Sequence, residues 1–166
     1  MDRRSFLATA AAGAVVGTAG CAGGTVVVET QRDVTVQARS GWARRIPRID
    51  GTAAISFIAR ADRVFETFVF TPDEYSRYQQ ALATPAGDGP APTGDTDLGT
   101  MAVHDEERGF YAAQTADTGG QEPLEADGPV YFVVDHSAVG MAPLPERPES
   151  LSVFVDLTVT KKTLPV

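Results

Sequence analysis

Near the C-terminus, Leu151, Val153, Val155, Leu157 and Val159 alternate with Ser152, Phe154, Asp156, Thr158 and Thr160. A period of two over ten residues predicts a half-buried strand, since a helix would scatter the same side chains around its circumference. Shorter stretches read the same way. Val26 to Glu29 and Val34 to Ala38 predict two strands around the polar turn Thr30 to Asp33. Ala53 to Arg60 and Val64 to Phe70 predict a second pair joined by Ala61-Asp62-Arg63, and Gly109 to Gln114 and Val130 to Asp135 complete the set.

One segment argues for a helix. Thr71 is a suitable N-cap, Pro72 occupies the first helical position, and Asp73 and Glu74 place negative charge in the first turn. Tyr75, Tyr78 and Leu82 follow at spacings of three and four, and the helix is expected to end near Ala83. Residues 84–99 then hold three prolines, four glycines and three aspartates with one large apolar side chain, Leu98, which predicts a mobile loop. Residues 115–128 and 142–150 are also rich in Gly or Pro. Short alternating strands, links of unequal length and no helix regularly placed between strands predict an all-β fold, mainly an antiparallel β-sandwich with one short helix. No internal repeat is visible.

The first two dozen residues follow a different pattern. Arg3 and Arg4 precede the bulky Phe6 and Leu7, a weakly apolar run reaches Val16, and small residues lead to Cys21, the only cysteine. The run is too short and too rich in Ala and Gly to span a bilayer, which takes about 20 predominantly apolar residues. The layout resembles a twin-arginine export signal joined to a lipoprotein processing site, with Thr18 where such sites usually carry a larger aliphatic residue. It implies removal of residues 1–20, lipid attachment at Cys21 and residence on the outer face of the cell membrane. Residues 21–32 are then an anchor linker with a candidate first strand, and residues 33–166 the sandwich. A lone cysteine permits no intrachain disulfide, so the core alone must stabilise the body.

Removal of the signal leaves 146 of 166 residues, enough for one domain with a genuine core. Of 14 basic and 22 acidic residues the signal holds Arg3, Arg4 and Asp2, which leaves 12 and 21 and a net charge of −9. Such a surface repels nucleic acid and anionic headgroups. The basic residues are nearly all arginine, the only lysines being Lys161 and Lys162. An acidic, lysine-poor body resembles proteins of salt-loving archaea, where a Debye length of about 3 Å at 1 M salt weakens the self-repulsion. The acidity then reads as adaptation to solvent rather than as a site.

A family resemblance rests on the order of segments. Trp42 to Ile49, the strand Ala53 to Arg60 and Val64 to Tyr78 are similar to the middle of GOLD-like and prepeptidase C-terminal sandwich modules of exported proteins, in which a strand ends in a short acidic-aromatic helical turn. Asp127 to Ser137 is similar to their penultimate strand, and Leu151 to Thr160 closes the pattern. His136 departs from it by standing where Asn is usual, and residues 84–99 form a long insertion. The resemblance implies a non-catalytic folding or binding module.

Candidate chemistry is sparse. His104 and His136 are the only histidines, too few for a tight transition-metal site once Cys21 carries lipid, and no cofactor motif is present. Asp135-His136-Ser137 contains the residue types of a hydrolase triad, but strand neighbours point to opposite faces and cannot form the required chain. Asp95 and Asp97, with Gly99, satisfy a calcium loop only in part, and solvated acidic loops are the stronger reading. Arg44 and Arg45, with Arg48, form a small basic cluster beside Trp42: the binding reading is contact with an anionic partner or with headgroups close to the anchor, and the stronger reading is pairing with surplus carboxylates while Trp42 packs at the core edge. Tyr75 and Tyr78 read first as helix-to-sheet packing and second as a carbohydrate or peptide platform. The expectation is a lipid-anchored surface interaction module, not an enzyme, whose partners are the membrane and a surface protein or glycan. A solute- or ion-binding lipoprotein and a surface hydrolase are the alternatives.

Overall fold

The computed structural model describes residues 24–84, 92–125, 127–140 and 142–162. Arg3, Arg4, Phe6, Leu7 and Cys21 lie outside them. The alternation at the C-terminus becomes β10 (Leu151–Lys162), whose Leu151, Val153, Val155, Leu157 and Val159 are all fully buried. On one side β10 pairs with β1 (Gly24–Val36), and on the other with β3 (Ala53–Ala61), antiparallel throughout. Beyond β3 lie β7 (Phe110–Gln114) and β6 (Val103–Asp105), and β8 (Glu122–Leu124) also pairs with β3. The second sheet has the order β2 (Ser40–Ile46), β9 (Val130–His136), β4 (Glu66–Phe70) and β5 (Thr100–Met101). The chain is thus an all-β antiparallel sandwich.

Inner faces of the two sheets bury Val28, Val34 and Val36 with Ile55, Phe57 and Ala59 against Ile46, Val69, Phe132 and Val134. Phe57 and Phe132 meet across the layers with ring centroids 4.8 Å apart. A third layer covers the outer face of the second sheet. There α1 (Pro72–Ala83) lays Tyr78 over Phe68, Phe70 and Val133, with Tyr75 and Leu82 at the margin. The expected cap forms. Glu74 Oε2 accepts from the Thr71 amide at 2.9 Å, and Thr71 Oγ1 accepts from the Glu74 amide at 3.4 Å, a reciprocal capping box.

Two pairings differ from expectation. Residues 24–36 form one continuous strand, where two strands around a turn at Thr30–Asp33 are expected. β10 acts as a template along the whole length, and the polar residues fit because β1 is an edge: Gln31 Nε2 donates to Asp156 Oδ2 at 3.1 Å. The turn falls instead at Ala38-Arg39, with Arg39 at φ +58°. β3 and β4, expected as a hairpin, lie in different sheets, and Phe65, wholly buried, fills the crossing between them. Part of the expected mobile loop is pinned. The Asp95 amide donates to Val69 O at 2.9 Å and Leu98 is buried in the core. A four-residue turn, α2 (Ala116–Gly119), takes left-handed φ at Asp117 and Thr118 and is held to β3 by Thr115, whose Oγ1 accepts from the Phe57 amide at 3.2 Å.

Candidate functional site

Alternation along β9 sends Val130, Phe132, Val134 and His136 between the sheets and Tyr131, Val133 and Asp135 to the face beneath α1. Asp135 is completely buried there. Its Oδ1 accepts from Tyr78 Oη at 2.5 Å and from Ser137 Oγ at 2.7 Å, and its Oδ2 accepts from the Ser137 amide at 3.3 Å. Ser137 Oγ in turn accepts from the Val139 amide at 3.1 Å. The carboxylate therefore ties three pieces together: β9, the helix through Tyr78, and the turn after β9.

Burial pushes the Asp135 carboxyl above its ordinary range, opposed by the hydrogen bonds from Tyr78, Ser137 and the Gly140 amide. Burial and the neighbouring Asp135 charge push the Tyr78 hydroxyl far upward, so it remains a donor. Two glycines make the enclosure possible. A Cβ on Gly41 would overlap the Tyr78 hydroxyl, and one on Gly140 would overlap Glu66 Oε2 and lie 3.2 Å from Asp135 Oδ2. Glu66 stands directly opposite Asp135 in the β4–β9 register and accepts from the Ala142 amide at 3.3 Å.

The triad chemistry does not assemble. Asp135 and Ser137 bond each other, while His136 lies on the opposite face with Nε2 donating to Glu149 O at 3.0 Å and Nδ1 buried without a partner among the described residues. His104 lies on β6 of the other sheet, its ring 4.8 Å from that of Tyr111. Asp95, a calcium candidate, has Oδ1 engaged by the amides of Asp97 and Leu98 at 2.9 and 3.3 Å. Among the described residues no group of three or more His, Cys, Asp and Glu could hold a metal ion. A depression of about 210 Å³ is lined by residues such as Phe70, Thr71, Glu74 and Glu125 and touches neither histidine nor Asp135. A drug-sized ligand generally occupies at least about 300 Å³.

The expected binding residues separate. Tyr78 is enclosed and cannot serve as a platform, and Trp42 packs against the core margin. Arg48 pairs with Asp50 at 3.1 Å, as expected of the basic cluster, whereas Arg44 and Arg45 make no ion pair among the described residues. Arg44 shares the face of Trp42 and Ile46. Arg45 lies on the other face, in register opposite Tyr131, and Tyr131 stacks on Tyr75 with centroids 4.1 Å apart and planes 9° from parallel. Tyr131 is the residue that sequence reasoning missed. Its signal was present in the alternation of Val130 to Asp135, which turns every second residue to the side where the helix must dock.

No protein-family model matches the chain, and no curated protein matches it. No helix among the described residues is long and apolar enough to cross a membrane.

Proposed function

We propose that this chain is an exported, lipid-anchored, non-catalytic interaction module on the surface of a halophilic archaeon, a GOLD-like sandwich held at the membrane through Cys21. The observation that supports an interaction role best is the exposed Arg45 with the stacked, half-exposed pair Tyr131 and Tyr75 on one face of the second sheet. Arginine and tyrosine dominate binding hot spots, because each offers a large contact area together with directional polar groups. A rigid sheet and a capped helix hold the three in place, so little ordering entropy opposes binding. The partner class is a surface protein or glycan.

Fractionation tests the anchor. The Cys21→Ala form is expected in the medium, and its retention in washed membranes would refute the lipid attachment. Cross-linking on intact cells tests the face. The Arg45→Glu/Tyr131→Ala form should lose the adducts that the unaltered protein makes, and an unchanged adduct pattern would remove this face from the proposal.

A further inference from the structure

The described part of β1 starts at Gly24, three residues after Cys21 in the sequence. Three residues fully extended reach at most about 11 Å. A lipid at Cys21 would thus hold the start of β1 within the headgroup layer. The antiparallel register sets Gly24 opposite Lys162 and Thr25 opposite Lys161. The only two lysines of the chain therefore flank the first residues of the body, and neither makes an ion pair among the described residues. They are presented from fixed backbone, because the Lys162 amide donates to Thr52 O at 2.8 Å and ties the end of β10 to the start of β3.

At the same corner the β1–β10 register shifts between Val26 and Val28, which leaves Val27 outside the ladder. Such a bulge re-aims the side chains before it. Val28 faces the core, but Val26 is 52% and Val27 39% exposed, two adjacent aliphatic side chains both in solvent. The Lys161 side chain lies beside Gly51, its Cε 4.0 Å from where a Cβ there would stand; the neighbouring Asp50 is paired with Arg48, and the exposed Glu29 lies further along β1.

We propose that the body rests on an anionic lipid bilayer through the end of the β1–β10 ladder, where Lys161 and Lys162 leave opposite faces of the strand end beside Val26 and Val27, the ammonium groups on headgroup phosphates and the valines at the acyl boundary. This rests on the reading that Cys21 carries a lipid. On a body of net charge −9, these two ammonium groups are what make the corner nearest the anchor the one that headgroups attract.

The lysines themselves report the contact, since they are the only side-chain amines. Protein purified in detergent from the producing cells is incorporated into vesicles of phosphatidylcholine, or of phosphatidylcholine with phosphatidylglycerol, and exposed to a water-soluble amine-acylating reagent. Mass spectrometry then reads Lys161, Lys162 and the group on Cys21. Acylation of both lysines should be about fivefold slower or more with phosphatidylglycerol than in detergent, and the protection should shrink as salt rises. Equal rates in detergent and vesicles with a lipid on Cys21, or equal protection without phosphatidylglycerol, would overturn the surface and leave the anchor standing. An unmodified Cys21 on protein recovered from the medium would overturn both.

Discussion

Replacing Tyr78 by Phe removes one oxygen from the centre of the helix–sheet contact and leaves the ring in place. The lost bond joins a neutral hydroxyl to a buried carboxylate, and hydrogen bonds to charged groups contribute about 1.5–3 kcal/mol. For a body of this size each kcal/mol moves the melting temperature by roughly 2–4 °C, so Tyr78→Phe should lower it by about 3–12 °C. Gly41 supplies an internal control. Gly41→Ala drives a methyl into the Tyr78 hydroxyl, an overpacking that should cost about 1–3 kcal/mol. In the Tyr78→Phe background the obstructing oxygen is gone, leaving Cζ at 3.1 Å and Val133 Cγ1 at 3.2 Å from the new methyl, distances that small shifts can relieve. The double variant should therefore cost less than the sum of the singles by about 1 kcal/mol. Urea unfolding at fixed salt, followed by the fluorescence of the single tryptophan Trp42, measures all four forms. A Tyr78→Phe cost within about 0.5 kcal/mol of zero, or strict additivity, would refute the buried tether.

Because the folded-state pKa of Asp135 is raised, the folded protein binds more protons than the unfolded chain between the ordinary carboxylate value of about 4 and the raised one. This residue's contribution to stability is therefore greatest below that window and declines as pH rises through it. Asp135→Asn should flatten that part of a urea-midpoint profile, while also lowering overall stability because its amide would face the Ser137 amide; a profile of unchanged slope would contradict the assignment. Thr71→Ala breaks the capping box and should cost about 1 kcal/mol in the same unfolding assay, whereas Thr71→Ser should retain most of it. Gly119→Ala imposes a side chain at φ +91° and sets its Cβ 2.6 Å from Ile58 Cγ1, so it should destabilise by more than about 1 kcal/mol, and a neutral result would refute that close approach.

The parts of the fold visible in the residues are those whose signal is local. β10 follows from ten alternating positions, and α1 from a cap, a proline and a three-four spacing, all within a dozen residues. β1 is different, since Thr30 to Asp33 is polar enough to resemble a turn and becomes strand only because β10, more than 120 residues away, offers partners. Likewise Ala61-Asp62-Arg63 looks like a hairpin connection, and only the burial of Phe65 at the crossing shows that the chain changes sheets there. β5, β6 and β8 are two or three residues each, too short to carry a period. The candidate site divides the same way. Tyr75 is legible as a helix residue packing toward the sheet and Arg45 as part of a basic cluster, but their alignment with Tyr131 depends on β2 lying beside β9, which no local pattern encodes. Asp135 resembles a strand-end acid until the helix closes over it.

Among the described strands β1 is bonded to one neighbour, β10, yet along twelve register pairs broken once, at Val27. Tension applied at Gly24 along the strand axis, against resistance at the Arg45 face, loads that whole ladder in shear instead of opening it one rung at a time. Mechanical rupture would then require most of these bonds to fail together, at a rate set by the barrier rather than by equilibrium stability. A load entering at Gly24 is thus carried by the longest of the described strand ladders.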